Sequence, residues 1–74
     1  MVDTRRILVD YDTEARVWWA ESNDLPGLVS EASTLDALFD RVAAVVPELL
    51  SASGGTIDQK VCLEFLVTRQ IQAV

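Results

Sequence analysis

Asp10, Asp12, Glu14, Glu21, Asp24 and Glu31 crowd the first half of this chain. Two or three carboxylates on one site could hold Mg²⁺ and support phosphoryl chemistry. Their spacing opposes convergence. Asp12 and Glu14 fall in a turn, while Glu21 and Asp24 lie toward the other end of the same hairpin. A solvated acidic rim is the expectation, with no metal held. The 74 residues include no histidine, which removes the commonest general base and metal ligand. Cys62 has no base to activate it, and Val61 and Leu63 beside it suggest a half-buried strand position. Gly54-Gly55 precedes a strand rather than a helix, so it reads as a linker and not a phosphate loop. No catalytic, cofactor-binding or metal-ligating residue is expected, and the chain is not expected to be an enzyme.

The elements that carry these residues follow from periodicity. From Arg5 to Tyr11, Ile7, Val9 and Tyr11 alternate with Arg6, Leu8 and Asp10. Asp12-Thr13-Glu14-Ala15 supplies turn chemistry, and Arg16 to Ser22 alternates again, so the two runs form a β-hairpin. Trp18 and Trp19 are adjacent on a strand and must point to opposite faces. One can sit under a helix; the other needs cover from elsewhere or serves as an anchor for a partner.

Asn23 to Gly27 breaks the strand, because Pro26 lacks an amide hydrogen and Gly27 can take a positive φ. Leu28 to Glu31 is long enough for a short third strand. Ser33 and Thr34 are both suitable helix N-caps, Ser33 having capping-box spacing to Asp36. Leu35, Leu38, Phe39, Val42, Val45, Val46 and Leu49 then form one apolar stripe on a helix of about four turns. Pro47 should either kink this helix or end it near Val46 and open a last short turn. Ser51 to Thr56 reads as a flexible connection, Val61 to Thr68 as the final strand, and Gln70 to Val74 as a frayed tail. The order is β-β-β-α-β, an α+β two-layer sandwich with one helix on one face of a small sheet. The last strand is expected to run parallel to the first, beside it.

Length and composition bound the rest. Residues 1–74 make a single domain, one that buries only about 60–65% of the surface its unfolded chain exposes. Half of the residues are apolar, more than so small a monomer needs, which points to a homodimer or higher homo-oligomer. The net charge of −6 counts against direct nucleic-acid binding and suits a basic protein partner. Neither a signal peptide nor a membrane-spanning segment is expected from the sequence, and a cytoplasmic location is the expectation.

Several motifs occur in a telling order. Val9-Asp10-Tyr11-Asp12, Trp19-Ala20-Glu21-Ser22, Asp24-Leu25-Pro26-Gly27-Leu28 and Ser33-Thr34-Leu35-Asp36-Ala37-Leu38 together resemble the HicB antitoxin domain. The chain is similar above all to the short, single-domain HicB-like proteins grouped as a domain of unknown function, whose helix ends as Pro47-Glu48-Leu49-Leu50 does here. The resemblance runs from about Ile7 to Val67. It implies a partial RNase H-like β-β-β-α-β fold and an antitoxin that masks the RNA-binding surface and catalytic histidine of a small basic ribonuclease, the HicA toxin. Typical HicB proteins continue into a DNA-binding region; this sequence stops at Val74, so no DNA-binding domain is expected.

The leading expectation is therefore an antitoxin-like module, with Glu14, Trp18, Asp24 and Leu25 as the residues expected to contact the partner. The alternative is an orphan homo-oligomeric scaffold, or a small-ligand-binding protein, without a toxin.

Overall fold

A computed structural model of the protein describes residues 3–52 and 60–74. The elements are β1 (Asp3–Asp12), β2 (Val17–Glu21), β3 (Val29–Ala32), α1 (Leu35–Ala52) and β4 (Val61–Val67). They form one four-stranded sheet in the order β3-β2-β1-β4, and α1 covers one face. β1 pairs antiparallel with β2 and parallel with β4, as the sequence pattern predicts. The expected α+β sandwich is what forms.

The core is a single cluster under the helix. Ile7 and Val9 from β1, Ala20 from β2 and Ala32 from β3 meet Leu38, Val42 and Val46 from α1. Phe39 reaches across to Phe65 of β4, with ring centroids 4.5 Å apart. Such tilted aromatic pairs add roughly 0.5–1.5 kcal/mol to the area they bury.

The hairpin turn is built on Asp12. Its carboxylate accepts from the N–H groups of Glu14 and Ala15, and its carbonyl accepts from Arg16. Arg16 closes the turn with φ 57°, a left-handed conformation in a residue other than glycine.

At the other end of β2 the chain must leave the sheet without orphaning β1. The register pairs Leu8 with Glu21, so Asn23 would be the next partner of Arg6. Two side chains stand in for that partner. The Ser22 hydroxyl donates to the Arg6 carbonyl at 2.6 Å, and an Asp24 carboxylate oxygen accepts from the Arg6 N–H at 2.9 Å. Ser22 Oγ also accepts from the N–H groups of Asp24 and Leu25, and Arg5 donates to the Asp24 carbonyl at 2.7 Å.

Leu25-Pro26-Gly27-Leu28 then turns sharply, with the Leu28 N–H donating to the Leu25 carbonyl and Gly27 at φ 88°. Proline followed by a positive-φ glycine is the signature of a type II turn. It drives both leucines into the core, where each contributes about 1.5–3 kcal/mol.

The helix resolves two sequence-level choices. Thr34, not Ser33, is the N-cap: its Oγ1 accepts from Ala37 and its carbonyl from Leu38. Pro47 does not end the helix, which runs unbroken to Ala52. Pro47 and Ala43 both lie on the exposed side, where water can solvate the carbonyl that proline leaves without a partner. Val46, Leu49 and Leu50 pack the last turns against the core.

Cys62 corrects an expectation. It is exposed rather than half-buried, because it lies on the sheet face that α1 does not cover. The first two residues of the expected flexible connection, Ser51 and Ala52, are helical instead; the rest of it, Ser53 to Thr56, lies outside the described residues. After β4, Thr68 still donates to Val9, and the Arg69 guanidinium lies 4.2 Å from the centre of the Tyr11 ring. Only Gln70 to Val74 extend as an exposed tail.

Ser22→Ala should destabilise the fold by about 1–3 kcal/mol, since it removes one donor and an acceptor shared by two backbone groups. Urea unfolding followed by tryptophan fluorescence measures this, and a change below 0.5 kcal/mol, roughly the effect of an ordinary surface substitution, would show that the corner does not depend on Ser22.

Candidate functional site

Strand alternation divides the chain's chemistry between the two faces of the sheet. On the covered face lie Ile7, Val9 and Ala20, together with Trp18, which packs against the core and meets Tyr11 edge-on at 4.9 Å. On the uncovered face, Leu8 sits opposite Leu66 on β4 and Glu21 on β2, while Trp19 sits between Asp10 on β1 and Glu31 on β3. Arg6 and Glu64 approach to 3.6 Å on the same face. The result is an apolar centre of Leu8, Leu66 and half-buried Trp19 within a ring of carboxylates.

Two shallow depressions meet at Leu8 and Leu66. One is bounded by Arg6, Asn23 and Asp24, the other by Asp10, Trp19 and Glu21. Each encloses about 220 Å³, below the 300–1,000 Å³ typical of small-molecule pockets. The shape is that of a contact surface with dimples rather than a ligand cavity. Leu8 and Leu66 keep 40% and 42% of their surfaces exposed there, and Val29 keeps 81%. Among the described residues no three His, Cys, Asp or Glu side chains gather as a metal site.

The four expected contact residues do not come together. Glu14 is exposed at the hairpin tip, and Asp24 is at the opposite end of the hairpin with its carboxylate on the Arg6 backbone. Trp18 faces the core, and Leu25, at 2% exposure, has no surface to offer a partner. The neighbouring tryptophan, Trp19, is the one on the uncovered face. The signal was present in the sequence: Trp19 alternates with Glu21, and Leu8 lies between Arg6 and Asp10. An apolar residue flanked at period two by charges marks an exposed apolar centre.

A model of the family described as "Domain of unknown function (DUF1902)" matches residues 4–74. The chain belongs to this family. The DUF1902 domain is also similar to a solved structure, a hypothetical protein, TTHA1013, from the extremely thermophilic bacterium Thermus thermophilus. The two share 42% identity with a TM-score of 0.82, over 93% of this chain and 97% of the other. No protein of curated function matches the chain. The match to the thermophile's protein extends the sandwich described above to a relative that is nearly as long as the DUF1902 domain itself.

The two tryptophans should respond differently to truncation. Trp18→Ala is expected to cost about 2–4 kcal/mol, and Trp19→Ala at least about 1 kcal/mol less, because only the first supports the core. Equal losses in chemical denaturation would contradict this division of the faces.

Proposed function

We propose that this DUF1902 domain is a HicB-like protein-binding module, not an enzyme, which neutralises a small basic ribonuclease of the HicA type by covering its RNA-binding surface. The observation that carries this reading is the uncovered sheet face. Trp19, Leu8 and Leu66 supply a large apolar centre, and Trp is the residue most enriched at interface hot spots. Asp10, Glu21, Glu31 and Glu64 surround it, against the single guanidinium of Arg6. A protein that binds RNA must carry a basic surface, and such a rim complements it. The chain's charge of −6 acts in the same sense at longer range by steering encounter. Masking an mRNA-cleaving toxin would be a cytoplasmic role; no helix among the described residues is long and apolar enough to cross a membrane.

A homo-oligomeric scaffold without a toxin is the second reading. The exposed apolar residues of β4 favour it, while the small depressions disfavour a ligand-binding version of it.

Co-expression with a small basic protein encoded beside this gene tests the first reading. The pair should co-purify and growth inhibition by the basic protein should disappear; persistence of toxicity without co-purification would refute the role. Trp19→Asp should weaken the complex at least about tenfold, or about 1.4 kcal/mol, with the fold retained. Raising NaCl from about 0.05 to about 0.5 M should weaken it further, as screening demands.

A further inference from the structure

The two edges of the sheet are not equivalent. β3, at one edge, has only four residues, and among them Glu31 turns its carbonyl outward. Arg41 of the helix donates to that carbonyl at 3.1 Å, so the short edge is partly closed. β4, at the other edge, has seven residues, Val61-Cys62-Leu63-Glu64-Phe65-Leu66-Val67. It contains none of the lysine, proline or inward-pointing charge that commonly guards an edge strand.

Its hydrogen-bonding direction can be read from the ends of the ladder. The Lys60 carbonyl and the Thr68 N–H both bond to β1, so even-numbered residues face inward along β4. The N–H and C=O groups of Val61, Leu63, Phe65 and Val67 therefore point away from the sheet. No strand among the described residues pairs with them.

Exposed apolar side chains accompany these free backbone groups. Leu66 and Val67 each expose 42%, and Ile71 in the following tail exposes 75%. Glu64 is the lone charge on the strand, in a chain whose net charge is −6. From Lys60 to Arg69 Glu64 is the one acidic residue, so two copies meeting edge to edge bring few like charges together.

We propose that the β4 edge is a self-association surface: β4 pairs antiparallel with β4 of a second copy, joining two four-stranded sheets into one. The pairing is isologous, as a two-fold axis requires. A register centred on Glu64 would oppose two carboxylates, so registers centred on Leu63 or Phe65 are favoured. Both helices then lie on one side, and the two uncovered faces join on the other. This inference does not depend on the existence of a toxin.

The full chain alone, measured by light scattering across a concentration series, should show twice its 8.2 kDa mass. Association should strengthen with added salt, because like charges are screened, whereas binding of a basic partner should weaken. In the dimer, hydrogen exchange should be slow at the amides of Leu63 and Phe65. Val67→Pro removes one outward donor while sparing the bonds to β1, and should shift the dimer toward monomer at least tenfold in dissociation constant. Should that variant unfold, the exchange pattern of the native chain decides. A monomeric mass at every concentration, or a dimer whose Leu63 and Phe65 amides exchange as fast as those of the tail, would overturn the proposal.

Discussion

The backbone of Arg6 sets the constraint on which the rest of the fold depends. Its N–H and C=O face β2, yet β2 ends two residues too soon to pair with them. Ser22 and Asp24 satisfy both groups from their side chains, so the chain can leave the sheet without stranding a donor and an acceptor. Both bonds lie at an exposed position, so each contributes about 0.5–1.5 kcal/mol, still a sizeable share in a domain whose whole stability is of order 5–10. Leaving early is also what frees Leu25 and Leu28 to turn inward. Without those two leucines the helix would cover a sheet with a hole at one end. The corner is thus a structural device, and its acidic residue is committed to that device.

The same economy separates the faces of the sheet. In a two-layer fold one face belongs to the helix, and among the described residues no element covers the other. Strand alternation forces Trp18 and Trp19 apart, so burying one tryptophan necessarily presents the other. Polar residues could have occupied the uncovered face throughout, as in many antiparallel sheets. Instead, Leu8, Leu66 and Trp19 sit at its centre with carboxylates around them. Desolvating that centre offers affinity, and the surrounding charges select the sign of what can approach.

Most of the fold was legible because its signals were local. Alternation marked the strands, the three- and four-residue stripe marked the helix, and Leu-Pro-Gly-Leu marked the corner. Parallel pairing of β4 with β1 followed from the single helix between them and the available edge. What escaped was whatever depended on tertiary satisfaction. Asp24 looked like a free surface carboxylate until its distance to the Arg6 N–H was known. Leu25 looked like a loop residue at a candidate contact, and only the type II turn buries it. The continuity of the helix through Pro47 likewise depends on which side of α1 faces water. Alternation put the two tryptophans on opposite faces, Trp18 with Ala20 and Trp19 with Glu21, yet Trp18 was the one expected at the contact, and the packing of the helix reverses that choice. Assigning the helix to the Trp18 face required weighing Ile7 and Val9 against Leu8 flanked by charges.

Two exposed apolar surfaces of different electrostatic character therefore coexist on one small domain. The uncovered face is ringed by carboxylates; the β4 edge carries Glu64 alone. Ionic strength acts on them in opposite directions, because screening removes attraction to a cationic partner and repulsion between identical anionic copies. The two surfaces are also connected: Leu66 lies on the uncovered face while its strand forms the edge. Joining two edges would extend the apolar centre rather than consume it, since the edge uses backbone groups that the face does not. The two proposed contacts, one with a second copy and one with a basic protein, thus draw on different groups and do not compete.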